Sequence, residues 1–215
     1  GSPVGQDLVF SSGSNASTVD SDYSGANAIA SITINGYTGT ITQSNKLAIT
    51  GDFSMSSAAT FTCADPVTNT FSVSGSFSIS AGTFDRYTGS GVARDPYLIR
   101  DVYDLQAMKC NLSSYYQLNG NIDASSTSGW NSNTGFVPVG TSTSNFIGTL
   151  DGTSNNYTIT GLTINSTTLN YVGLFGYSTG AIQNITLSSV SITATGTAGA
   201  NGSDGAAGTS GASPT

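Results

Sequence analysis

The sequence predicts an all-β protein, a β-solenoid carrying one short α-helix in a central connector. Three observations lead there. Leu47-x-Ile49-x-Gly51-x-Phe53-x-Met55 returns downstream as Phe71-x-Val73-x-Gly75-x-Phe77-x-Ile79. Further on, Ile159, Leu162 and Ile164 return with the same mutual spacing as Ile182, Ile185 and Leu187. Both offsets fall within the roughly 20–50 residues that mark repeat architectures. Within each repeat apolar residues alternate with Ser and Thr, which is strand spacing. Such a repeat fits one coil of a solenoid, each coil stacking about 4.8 Å from the last.

The elements follow in order. Residues 1–6 read as a cloning remnant and linker, and residues 7–30 as a ragged first coil or cap. From 32 to 84 the spacing predicts short strands: Ile32–Ile34, Thr40–Ile41, Leu47–Ile49, Phe53–Met55, Phe71–Val73 and Phe77–Ile79. Gly36, Gly39, Gly51, Gly75 and Gly82 mark the corners. These N-terminal coils are assigned to 7–88. The pattern then breaks, and Asp95-Pro96-Tyr97-Leu98-Ile99 leads into a helix expected at about 102–111. Asp101 is a good N-cap residue, and Asp104 in the first turn suits the helix dipole. Val102, Leu105, Met108 and Leu112 share one face, so the helix is expected to pack on an open end or side of the β-stack. Tyr115 to Leu118 restarts a strand. A polar insertion at 125–134 holds the sole tryptophan, Trp130. In residues 196–215 glycine falls at every third position from Gly196 to Gly211, but no proline occurs before Pro214, unlike a collagen triple helix. They read as a glycine-rich arm or linker.

Composition excludes several functions. Only 8% of residues are charged, the net charge is -7, and all 12 acidic residues are Asp. Such a chain repels phosphate backbones, so nucleic acid is not an expected partner. There is no His, which removes Ser-His-Asp and Cys-His catalysis and His-ligated zinc. No apolar run reaches membrane-spanning length, so no membrane insertion is expected. With no signal peptide in view, the chain reads as a piece of a longer exported protein. Cys63 and Cys110 are the two cysteines. They form either one disulfide or two separate buried thiols, and sequence does not supply the geometry that decides.

Residues 89–195 resemble the Gly-Leu-x-Gly ("GLUG") motif regions of bacterial surface adhesin-like proteins. The resemblance is carried in order by Gly91-Val-Ala-Arg-Asp95-Pro96-Tyr97-Leu98-Ile99, Asp104-Leu105-Gln106-Ala107-Met108, Tyr116-Gln-Leu118 with Asn121-Ile122-Asp123, Phe136-Val-Pro138-Val139-Gly140, Phe146-Ile-Gly148-Thr149-Leu150-Asp151-Gly152, Tyr157-Thr-Ile159-Thr-Gly161-Leu162, and Val172-Gly173-Leu174-Phe175-Gly176. It implies a right-handed parallel β-helix at a bacterial surface or in a secreted protein. It implies no single ligand.

Catalysis is not expected, and no catalytic residue is assigned. Asp101 and Asp104 are explained by the helix start, Asp123 by the motif, and Asp151-Gly152 by a turn. No strand brings two Asp to one outward face, as paired-carboxylate chemistry requires. For a ligand, Trp130 with Tyr115 or Tyr116 offers aromatic surface beside hydrogen-bonding groups. The alternative is that Trp130 folds back over the stack. No cofactor is expected; calcium is the one metal considered, at Asp20 and Asp22 or at Asp151, where turn roles serve as well. The expected function is structural and adhesive, extracellular or at the cell surface, with a host surface, a glycan or another surface protein as partner. The alternative is a glycan-binding or glycan-processing β-helix.

Overall fold

The computed structural model describes residues 4–194. They form a parallel β-solenoid, as expected. In the first half, one face stacks Asp7–Phe10, Ser31–Ile34, Phe53–Met55 and Phe77–Ile79. A second stacks Ser17–Val19, Thr40–Gln43, Thr60–Cys63 and Thr83–Asp85. A third pairs Leu47–Ile49 with Phe71–Val73. All pairings are parallel, and the first sequence echo is the coil register itself: Leu47 lies beside Phe71, Phe53 beside Phe77 and Met55 beside Ile79. Alternation sends Ile32, Phe53 and Phe77 inward in one ladder, and Thr33, Ser54 and Ser78 outward in the next. The inward rings stack at coil spacing. Phe53 and Phe77 have centroids 5.2 Å apart, and Phe61 and Phe84 5.1 Å.

The second half builds three new faces. Tyr97–Ile99, Tyr115–Leu118, Thr149–Asp151 and Ala181–Gln183 stack on one. Ile122–Asp123, Thr158–Thr160 and Thr186–Ser188 form the next, and Thr163–Ser166 pairs with Ser191–Ala194. Here the second echo is not the register. Ile159 lies beside Leu187 rather than Ile182, and Ile164 beside Ile192 rather than Leu187, while Ile182 lies beside Leu150. The echo aligned strands of different faces. Short apolar-x-apolar triplets look alike wherever they fall in a coil, and the segment from Thr167 to Gly180 lengthens this one.

Between the halves lies the α-helix, Val102–Ala107, continued by a 3-10 turn, Met108–Cys110. Asp101 caps it as expected, its side chain accepting from the Asp104 N–H at 2.8 Å. All six residues of the helix are buried, however, including Asp104 and Gln106. The helix is therefore an internal layer, not a lid with one wet face. Its polar side chains replace the ladder hydrogen bonds that a strand would have made. The Tyr103 hydroxyl accepts from Val73 N–H at 2.8 Å and donates to Val73 C=O at 3.0 Å. On the other side, the Gln106 amide accepts from Val137 N–H at 2.8 Å and donates to Val137 C=O at 2.9 Å. Lys109 Nζ donates to the Ile79 carbonyl.

Charge is concentrated in the same layer. Arg86, nearly fully buried, meets Asp101 at 3.1 Å and Asp104 at 3.4 Å, and its guanidinium lies 4.9 Å over the Phe71 ring. Arg100 meets Asp104 at 3.4 Å from the other side. The hydrophobic core runs without a break through both halves and the helix. The glycine-rich region expected at 196–215, and the remnant at Gly1-Ser2, lie outside the described residues.

Candidate functional site

A polar groove of about 680 Å3 runs between the outward side of the first half and the 125–133 insertion. One wall is Ser54, Ser74, Ser76 and Ser78; the other is Ser126, Ser128 and Asn131 to Asn133. Strand alternation supplies Ser54 and Ser78, outward serines between buried apolar neighbours, and the corner around Gly75 supplies Ser74 and Ser76. The second wall is held by its backbone. Asn131, Ser132 and Asn133 all have left-handed φ values, of 52°, 57° and 66°. Non-glycine residues enter this region at a cost of about 1–2 kcal/mol each. The Asn131 N–H donates to Ser76 Oγ at 2.8 Å, tying the walls together. Asn131 Nδ2 donates to the Gly135 carbonyl, and Thr134 Oγ1 to the Asn131 carbonyl. Asp52 is the one charged residue in the lining; its carboxylate accepts from the Ser76 N–H at 2.7 Å. The side chains of Ser54, Ser74, Ser78, Ser126, Ser132 and Asn133 make no hydrogen bond among the described residues, so they remain free for a ligand.

Two smaller hollows lie in the second half, of 240 and 270 Å3. They share Val137, Pro138, Thr168 and Leu169 and are therefore adjacent. Tyr171 borders one of them and packs edge-to-face on Tyr177, with centroids 5.6 Å apart. These tyrosines are 51% and 40% exposed.

The residues singled out by sequence fall differently. Trp130 is fully buried against Phe77 and Tyr103, with centroids at 5.2 and 5.6 Å. The insertion folds back and plugs the junction, which corrects its assignment as a ligand platform. Tyr116 is corrected in the same way: it is buried, and its hydroxyl donates to the Asn111 carbonyl. Burial pushes its ionisation well above the ordinary phenol range. Of the three aromatics only Tyr115 reaches the surface, 41% exposed. Tyr171 and Tyr177 were missed. Their one sequence signal was a tyrosine at each end of a glycine-rich stretch where strand alternation lapses.

The calcium candidates are engaged by neighbouring donors within the protein. Asp151 accepts from three N–H donors: Thr153 N at 2.7 Å, Asn184 Nδ2 at 2.9 Å and Gln183 Nε2 at 2.9 Å. These bonds hold its carboxyl below the usual carboxylate range. Asp20 accepts from Ser21, and Asp22 from Ser24. No group of three or more Asp or Cys side chains converges at metal-binding distance among the described residues. Cys63 and Cys110 are separate, half-buried thiols, so the structure takes the unbonded alternative. Burial raises the pKa of both. Cys63 ends a strand beside Arg86, whereas Cys110 ends the helical layer beside Phe84.

No family model and no solved structure matches the chain. It is similar to Halomucin of Haloquadratum walsbyi, 42% identical over 114 residues, which is 50% of this chain and 1% of that protein. It is also similar to a putative Gly-rich membrane protein of Evansella cellulosilytica, 34% identical over 112 residues, 50% of this chain and 13% of the relative. The chain thus spans a small part of each of these much longer proteins.

Proposed function

We propose that this chain is a non-catalytic structural and adhesive segment of a secreted or cell-surface protein. The observation that carries this reading is the groove, a built concavity whose serine and asparagine side chains are largely uncommitted within the protein. A solenoid interior fixes such a surface rigidly, and a hydroxyl-rich lining suits neutral, hydrated partners such as glycans or glycosylated surface proteins. The surface setting is supported by the relatives' names, one of them a putative Gly-rich membrane protein. No helix among the described residues is long and apolar enough to cross a membrane.

The test is a glycan array and a cell-binding assay on the purified chain, with polysaccharides incubated in parallel for reducing-end release. Retention on glycans or cells without release supports the proposal. Release that is abolished by Asp→Asn changes would replace it with glycan processing.

A further inference from the structure

We infer that the paired hollows beside Tyr171 are a binding site for neutral pyranose sugars, seated on the ring faces of Tyr171 and Tyr177. This deepens the adhesive reading and rests on it, but places the contact away from the serine groove.

Four features point to that ligand class. First, Tyr171 and Tyr177 are both substantially exposed although they touch each other, so each keeps ring surface open to solvent. Tyr171 lines one hollow and Tyr177 packs against it, so the pair offers the apolar half that a sugar site needs. The C–H face of a pyranose supplies the matching apolar surface. Second, the polar half is present. The side chains of Ser142, Thr168 and Asn170 line the hollow and make no hydrogen bond among the described residues. Third, neither hollow has a charged residue in its lining, which disfavours phosphate, sulfate and uronate groups relative to neutral ones. Fourth, each hollow is smaller than the roughly 300–1,000 Å3 of a drug-sized pocket, and the two adjoin across Pro138 and Leu169. That arrangement fits consecutive rings of a chain better than one bulky ligand.

The site is anchored from beneath. Ser166, buried, accepts from the N–H groups of Thr168 and Leu169 through its hydroxyl, at 3.3 and 2.9 Å, which fixes the loop leading to Tyr171. On the facing wall the Thr141 hydroxyl accepts from the Ser144 N–H at 3.0 Å.

The experiment titrates the whole chain with maltohexaose, cellohexaose and mannohexaose, with a heparin hexasaccharide as the charged comparison. Calorimetry gives affinity, and saturation-transfer NMR identifies the sugar protons in contact. At least one neutral hexasaccharide is expected to bind through its ring C–H protons. Tyr171→Ala and Tyr177→Ala should each weaken it by about tenfold, the size of a lost stacking contact, while Tyr171→Phe stays within about twofold. Because both tyrosines are exposed, the variants should melt as the parent does. Should Tyr171→Ala fail to fold, Asn170→Ala replaces it, with a smaller loss expected. Binding unaffected by these changes but lost in a Ser54→Ala, Ser78→Ala double variant overturns this site and leaves the adhesive reading standing on the groove. No binding of any neutral probe, or binding of heparin alone, overturns the site; the array and cell assays then judge the adhesive reading separately.

Discussion

Phe77 lies where the first half of the core meets the helical layer. Its ring contacts Phe53, Phe84, Tyr103 and Trp130, with centroids between 5.0 and 5.2 Å. Phe77→Ala should cost about 3–5 kcal/mol, measured as a lower urea midpoint. That Phe77 points inward was legible in the alternation. That Trp130 would meet it, from a distant part of the chain, was not, because a polar insertion carries no period to say where it folds. Asp104 supplies a pH dependence. Burial first, then the neighbouring Asp101 carboxylate, pushes its carboxyl up to about 7, although Arg86 and Arg100 pull the other way. A carboxyl whose folded pKa exceeds its unfolded value favours the folded state most at pH below about 4. That contribution fades as pH rises through 7. Thermal melts should therefore show Tm falling between pH 4 and pH 8, and Asp104→Asn should flatten that slope. Asp65, Asp123 and Asp151, whose carboxyls are held low by hydrogen bonds, act in the opposite sense but only at more acid pH.

Single elements show where sequence reasoning succeeds and where it stops. The helix start was readable from Asp101 and Asp104, since capping is local chemistry. Its burial on every side was not, because Asp104 and Gln106 look solvent-facing until their partners, brought close by folding, are known. Tyr103→Phe should remove the hydroxyl that satisfies both Val73 groups, at a cost of about 1–3 kcal/mol for buried groups left unpaired. Hydrogen exchange at the Val73 amide should accelerate. Corners are equally specific. A Cβ on Gly75 would lie 2.7 Å from the Gly51 carbonyl of the coil before, and one on Gly148 would collide with the Ser114 carbonyl. Gly148→Ala should therefore push two coils apart and destabilise by about 2–3 kcal/mol, a strain effect visible as a depressed Tm. The first echo was legible because neighbouring first-half coils differ little in length. The second half hid its register because its long loops vary.

At the scale of the whole chain, the solenoid class was open to sequence reasoning and the site was not. Repeats dictate a stack; they do not say which outward residues remain uncommitted once insertions close over them. Trp130 drew attention by its chemistry and proved structural, while Tyr171 and Tyr177 stand in an aperiodic stretch. The internal helical layer carries a consequence of another kind. Among the described residues, every hydrogen bond between the chain up to Tyr87 and the chain from Arg100 on involves a side chain. No strand of one half pairs with a strand of the other. A rod pulled along its length would transmit load through continuous backbone ladders everywhere except at this layer. Pulled from its two termini in an optical trap, the protein should yield there first, giving two force steps, and Tyr103→Phe should lower the first without moving the second. The helix then acts as a mechanical fuse, letting the rod lengthen under strain while each half keeps its fold.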